Sequence, residues 1–249
     1  LAVDFMESGW NLKHLIKRIV TSATYQQESN ADPQLIARDP ENKLLARGPR
    51  FRLPAWMIRD AALASSGLLN PALGGPPVRP HQPEGVWEEI FMGRFTYEPS
   101  QGAAQYRRTL YSFWRRSIAP TFLFDSAQRR VCEVGMTRTN TPLQALTLLN
   151  DQTMREASQN LARTVLLRGD DDSRMTHITH AVLSRAPTES ERTVLLRELE
   201  RTRRHYRDAL QDAATYLGEK TVRPDTAEHA AWTVVASLVY NLDEAITQE

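Results

Sequence analysis

Apolar residues recur at helical spacing along most of the chain, and the sharpest pattern begins where Thr141, Pro142 and Gln144 stand together. Thr141 suits an N-cap, Pro142 a first helical position whose N–H would go unpaired anyway, and Gln144 closes a Thr-x-x-Gln capping box. From Leu143 to Leu149 nearly every position is apolar, so the helix is expected to sit in the core. Asn150-Asp151 then interrupts it. Met154, Ala157, Ser158, Leu161, Ala162 and Val165 resume at spacings of three and four, which predicts a second, one-sided helix capped by Asn150 or Asp151.

The same rules place the other elements. Leu1 to Met6 reads as helix, and Asn11 caps a helix with Leu12, Leu15, Ile16, Ile19 and Val20 on one face and Lys13, Lys17 and Arg18 opposite. Trp10 precedes that cap in the place of a hydrophobic staple. A polar connection follows from Gln26 to Arg38, after which Asp39-Pro40-Glu41 and Gly48 bracket a short helix. Pro54 opens another, apolar at Met57, Ile58, Ala61, Ala62 and Leu68, with Arg59 and Asp60 on its other side as a solvated or locally paired couple. Asp170 to Ser173 caps a helix with Ile178, Ala181 and Val182 inward. Thr188 and Glu191 form a second capping box, starting a helix that runs to about Leu217 on a stripe of Leu195, Leu199, Tyr206, Leu210, Ala213 and Leu217. On that helix, Glu200, Arg204 and Asp208 are spaced as solvated ion pairs. A last helix, capped by Asp225 to Glu228 and carrying Ala231, Val234, Val235, Leu238, Val239 and Leu242, is expected to pack deep.

The periodicity stops between Pro71 and Gly102. Six of the 14 prolines and a Gly74-Gly75-Pro76-Pro77 turn are interleaved there with Trp87, Phe91, Phe95 and Tyr97, predicting a long irregular excursion. Its aromatics either pin the loop onto the helices or form a platform for a flat ligand such as a sugar ring, with His81, Glu84, Glu88 and Glu89 as polar neighbours. Tyr106 to Ser117 reads as a short strand, with helix as the competing reading, and Arg130 to Val134 is its β partner across a turn at Phe124-Asp125-Ser126. The fold class is therefore mainly α, a multi-helix domain with a long Pro/Gly/aromatic loop and one short β-hairpin. It is read as a single helical domain over residues 1–249, with N-terminal helices over 1–70, the loop and strands over 71–135, and a helical bundle over 136–249.

Composition removes several function classes. Lys and Arg number 31 against 30 Asp and Glu, a net charge of +1, which gives no global reason to expect nucleic acid or an anionic membrane as partner. The basic cluster Arg201, Arg203, Arg204, His205 and Arg207 is flanked by the acids Glu198, Glu200 and Asp208 and reads as a solvated helix face. No apolar run approaches the roughly 20 residues of a membrane span. One cysteine, Cys132, excludes an internal disulfide and any Cys-x-x-Cys motif, and reads as a buried, inert thiol. His14 reads as a surface histidine, and His177 and His180 share a helix face without a third ligand, so no metal is assigned. The opening on Leu1-Ala2-Val3, without an initiator Met or a signal segment, leads to the expectation that this is the C-terminal portion of a longer multidomain protein.

Several runs together carry a family resemblance. They are Gly9-Trp10-Asn11-Leu12-Lys13, Ser22-Ala23-Thr24-Tyr25-Gln26-Gln27, Arg52-Leu53-Pro54 with Ile58-Arg59-Asp60, Gly74-Gly75-Pro76-Pro77-Val78, and Gln82-Pro83-Glu84-Gly85-Val86-Trp87. Arg107 to Trp114, Phe124-Asp125, Cys132, Asn241-Leu242-Asp243-Glu244 and above all Arg138-Thr139-Asn140-Thr141-Pro142-Leu143-Gln144 complete the set. The chain resembles the planctomycete cytochrome-associated C-terminal domain, domain of unknown function fifteen fifty-three, over essentially its whole length. Trp56 departs from the pattern, where the family has Glu. The resemblance implies an exported protein, periplasmic or at the cell surface. Its upstream part would often hold a c-type cytochrome domain, so that haem c belongs there and this chain has no cofactor of its own. It implies no catalytic residues.

The function expected is that of a non-catalytic structural or ligand-binding module beside upstream domains of the same polypeptide. The alternative is an enzyme acting on polysaccharide, using two of Asp60, Glu84, Glu88, Glu89 and Asp125 held about 5–9.5 Å apart. A third reading makes Arg138, Asn140 and Cys132 a docking face for the haem domain. Arg138, Thr139 and Asn140 lie just outside a helix start whose N–H groups favour anions, and with Asp125, Cys132, His81, Glu84 and Trp87 they form the set of candidate ligand or docking residues.

Overall fold

A computed structural model describes residues 1–90, 92–115, 118, 124 and 139–248. Its helices are α1 Ala2–Glu7, α2 Leu12–Val20, α3 Pro33–Arg38, α4 Ala55–Ser65, α5 Val86–Ile90, α6 Pro142–Asn150, α7 Gln152–Leu166, α8 Asp171–Leu183, α9 Glu189–Asp208, α10 Leu210–Leu217, α11 Thr226–Tyr240 and α12 Asp243–Ile246. Strand β1, Phe51–Arg52, pairs antiparallel with β2, Thr247–Gln248. The chain is mainly α, with this one short strand pair among the described residues. No helix is long and apolar enough to cross a membrane among the described residues.

Two compact units result. One is Leu1–Arg52 with β2, and the other is Leu53–Ile246. In the second, α11 is the axis of the core. Its Trp232, Val235, Ala236 and Val239 share one buried cluster with Met154, Ala157, Leu161 and Val165 of α7, Met175 and Ile178 of α8, and Leu195 and Leu199 of α9, while Ile58 and Ala62 bring in α4, which packs on α7 and α8. Alanines at 157, 162, 231 and 236 leave room for helix backbones to approach. Each larger side chain buried in this way contributes about 1.5–3 kcal/mol of apolar transfer. The stripe read from the sequence on α7 packs here, whereas on α11 only Ala231, Val235 and Val239 of the expected stripe are buried, and Trp232 and Ala236 join them.

Charge is buried with the core. Arg203 on α9 donates to both oxygens of Asp171, at 2.9 and 3.0 Å, and to Glu228 Oε2 at 2.8 Å. Trp232 Nε1 donates to Glu228 Oε1 at 2.9 Å. Asp171 and Glu228 stand in the first turns of α8 and α11, where the helix dipole favours a carboxylate. Two helix starts thus converge on one guanidinium, and the expectation of a solvated basic face fails at Arg203. The helix expected to run unbroken to Leu217 divides at Ala209, whose φ of −128° and ψ of 62° leave the helical region.

Helix α6 carries the expected capping box, but it is not surrounded. Only Gln144 and Leu148 are buried, one turn apart, while Leu143 and Leu146 are 74% and 56% exposed. The apolar run is wider than the single face that meets the core.

Loop 70–113 also differs from the strand reading. Residues 102–106 and 109–111 form 3-10 turns, and among the described residues of the loop the backbone pairs at single bridges, Asn70 with Arg107 and Val78 with Ser112. The expected partner at residues 130–134 lies outside the described residues.

In the first unit, α1 and α2 pack together, with Asn11 Oδ1 accepting from the His14 N–H at 3.1 Å and the rings of Phe5 and Trp10 meeting edge-on. The next helix lies earlier than its sequence reading. Asp32 caps α3 by accepting from the Gln34 N–H at 2.7 Å, with Pro33 at the first position. Asp39 is instead the centre of a turn, its carboxylate accepting from the N–H groups of Leu44 at 2.7 Å and Lys43 at 2.9 Å. The Leu44 bond foremost holds the Asp39 pKa below the usual carboxylate value, against the opposing effect of burial. Gly48 is required by contact rather than as a helix stop, since a Cβ there would come 2.5 Å from the Gln27 carbonyl oxygen.

Candidate functional site

The long loop is organised around Trp87, which is 0% exposed. Its ring lies against Tyr97, Phe95 and Phe113 at centroid distances of 4.9, 5.1 and 5.8 Å. Its Nε1 donates to Gln82 Oε1 at 2.7 Å, while Tyr97 OH donates to the Pro80 carbonyl at 2.7 Å. Burial raises the Tyr97 pKa to about 12, so the phenol stays protonated. The aromatics therefore pin the loop, and Trp87 presents no open ring face to a ligand. Around it, His81 is half-buried, Glu84 and Glu89 are exposed, and Glu88 Oε1 accepts from the Tyr97 N–H at 3.4 Å.

Arg59 joins this loop to the helices. It is buried in α4 and donates to the carbonyls of Arg107 at 3.0 Å and Gln105 at 2.7 Å, and to Thr109 Oγ1 at 3.1 Å. Asp60 Oδ1 accepts from the Thr109 N–H at 2.8 Å and from its hydroxyl at 2.6 Å. The pair read as solvated is thus a clamp, because adjacent helix positions both reach a backbone segment with no regular partner of its own. Burial holds the Arg59 pKa below the usual guanidinium value, with Asp60 foremost among the acids opposing it. One of those acids, Asp151, caps α7 through the N–H groups of Thr153 and Met154 at 2.9 and 3.2 Å. Burial raises the Asp151 pKa, against those two bonds and the charges of Arg59 and His81. On α7, Glu156 accepts from Tyr106 OH at 3.1 Å and from Gln152 at 2.8 Å. A second arginine, Arg107, wraps the Gly-Pro turn, donating to the carbonyls of Pro76 at 2.9 Å, Ala72 at 3.1 Å and Gly74. These groups hold the loop in place.

At the start of α6 the structure shows the expected cap. Thr141 and Gln144 each accept from the other's N–H, and Gln144 Nε2 donates to Thr139 Oγ1 at 2.7 Å. Asn140 is exposed beside it. Arg138, Asp125 and Cys132 lie outside the described residues. Of the carboxylates named for a glycan-acting site, Asp60 is engaged by Thr109, and Glu84 and Glu89 face solvent.

The feature that points outward lies on the first unit. No hydrophobic side chain between Leu1 and Arg52 is buried. Trp10, Leu12 and Ile16 are 67%, 60% and 50% exposed, and Ile19 and Val20 extend the same strip along α2. Lys13 and Lys17 border one edge by helical position, and His14 and Arg18 the other. Asp4 stands 3.2 Å from His14 and 3.9 Å from Arg18. An apolar strip with basic edges suits a partner surface that is apolar at its centre and acidic at its rim. The sequence displayed the strip. It carried no signal that the strip would stay uncovered, because periodicity reports one-sidedness and not what meets the side.

Residues 1–199 match the model of a family described as Protein of unknown function (DUF1553). No curated protein and no solved structure matches the chain.

Proposed function

Since the chain belongs to the DUF1553 family, we propose that it is a non-catalytic helical module that docks through the α1–α2 face onto another domain of its own polypeptide. Under this reading the whole protein is exported, periplasmic or at the cell surface, and linked to a c-type cytochrome domain that carries the haem. The partner's contact surface is apolar and edged by carboxylates. The observation that supports docking is the exposed strip Trp10, Leu12 and Ile16 between Lys17 and Arg18. The exported and cytochrome-linked setting rests on the family resemblance in the sequence.

Binding of the 249-residue chain to the separately produced upstream part, read by calorimetry, tests the proposal. Ile16→Asp is expected to weaken binding by at least about tenfold, as loss of a central apolar contact does. Lys17→Glu is expected to weaken it less, and chiefly at low salt. Equal affinity of wild type and Ile16→Asp overturns the docking face. Binding to anionic vesicles or self-association in place of the upstream part assigns the strip a different occupant and overturns this one. Turnover by the purified chain on a panel of polysaccharides overturns the non-catalytic reading.

A further inference from the structure

Helix α11 opens on a buried histidine that neither the core nor the docking face employs. His229 is 2% exposed, and its Nε2 stands 2.9 Å from the carbonyl oxygen of Gln159 on α7. A carbonyl only accepts, so Nε2 carries the proton of the neutral ring and Nδ1 presents a lone pair. That nitrogen is buried with no hydrogen-bond partner, 3.9 Å from Glu219 Oε1. Glu219, just past the end of α10, is engaged elsewhere. Arg223 donates to its Oε1, Arg163 of α7 approaches the same oxygen at 3.6 Å, and Thr226 Oγ1 donates to Oε2 at 3.3 Å. The charged groups acting on the ring are thus Arg163 from α7, and Glu219 and Arg223 from the α10–α11 connection, with the Gln159 carbonyl as its one bonded neighbour.

A proton changes what this pocket can satisfy. The imidazolium has two donors, and the acceptor within a small movement of Nδ1–H is Glu219. To reach it, the carboxylate must turn from the arginines that now hold it. We propose that His229 is a proton-operated switch: when charged, it draws Glu219 away from Arg163 and Arg223 and loosens the connection between α10 and α11. The resting state is the neutral one. Burial, the largest effect, together with Arg163 and Arg223 holds the His229 pKa below the ordinary histidine value of 6.5, against Gln159 and Glu219. The unfolded chain therefore takes the proton first. The stability tied to the neutral ring is complete above about pH 6.5 and is lost as pH falls from there towards the lowered folded value.

The test uses the full chain with isotope-labelled histidine, following the His229 ring and the amide exchange of residues 219–226 by NMR from about pH 7.5 to about pH 5. The ring is expected to titrate below the ordinary histidine range while the protein is folded. Over the same interval the opening of those amides, corrected for intrinsic exchange, should rise about tenfold, and His229→Gln should abolish the pH dependence of that rise. A ring that stays neutral in the folded chain to about pH 5, or an equal rise in His229→Gln, overturns the switch. If the variant does not fold, the wild-type ring titration decides alone.

Discussion

The guanidinium of Arg59 stands 3.0 Å from the main-chain oxygen of Arg107, so one side chain of α4 fixes a distant stretch of a loop that has little regular structure. The Gln105 carbonyl and Thr109 hydroxyl share the same donor group. Replacing Arg59 with Met would bury those acceptors beside a group that cannot donate. The expected cost is about 3–5 kcal/mol, read from the urea midpoint and slope. Arg59→Lys should recover only part of it, because an ammonium lacks the planar fork that spans three acceptors. An Arg59→Met chain within about 0.5 kcal/mol of wild type would show that the clamp is dispensable.

Trp87→Ala should cost about 3–5 kcal/mol, the range for a large aromatic removed from a closed core. The loss is expected to begin locally, since the ring is the hub on which Phe95, Tyr97 and Phe113 rest. Limited proteolysis should cut within residues 71–113 before the helices lose their far-ultraviolet signal. Simultaneous loss of both would place Trp87 in the same cooperative unit as α11 instead.

Arg185 joins two carboxylates, with Glu191 at 2.7 and 2.8 Å and Glu244 at 2.8 Å through Nε. The bonds from Arg185, and less so those from Thr188, lower the Glu191 pKa to about 2 from 4.5. A depressed carboxylate stabilises the fold above its unfolded pKa. That contribution should be lost as pH falls from about 4.5 to about 2, by an amount on the order of 2 kcal/mol. Glu191→Gln should flatten the stability profile across that window, measured by denaturant melts at several pH values. An unchanged profile would mean that the pair is too well solvated to matter.

Two apolar side chains at equivalent sequence signals should behave oppositely. Ile16 is half exposed on α2 and Ile58 is enclosed in the core where α4 packs on α7 and α8. Ile16→Asp is expected to leave the thermal midpoint within the span of an ordinary surface change, about 0.5 kcal/mol. Ile58→Asp should prevent folding, because it buries an unpaired charge. Circular dichroism melts of both variants compare them directly. Equal destabilisation would mean that α2 is covered in solution.

What the sequence disclosed divides by range. The caps at Asn11, Thr141, Asp170 and Thr188 were legible because each is a bond between groups three residues apart. The buried stripe of α7, and half of that on α11, were legible because a helix repeats its faces. Arg59 and Arg203 were not. A charged side chain on a helix suggests solvent, and their partners lie on segments far along the chain, as Arg107 and Asp171 do. The α6 leucines misled for a related reason, since a run with five apolar positions out of seven does not say how many of them meet a neighbour. Of the candidate ligand or docking residues, Trp87 is taken up in the packing of the loop and Thr139 in a bond to the cap of α6.

The pairing of β1 with β2 carries a consequence for synthesis. Leu53 N–H donates to the Ile246 carbonyl at 2.8 Å, and Arg52 stands opposite Thr247. The polypeptide thus enters and leaves the second unit through adjacent strands, and the first unit takes its last piece from residues translated after everything else here. On the ribosome, β1 waits as an unpaired edge until the whole helical bundle has emerged. Pairing of β1 therefore waits on the last residues of this sequence, and a transcript cut short inside α11 would release a chain whose first strand has nothing to pair with.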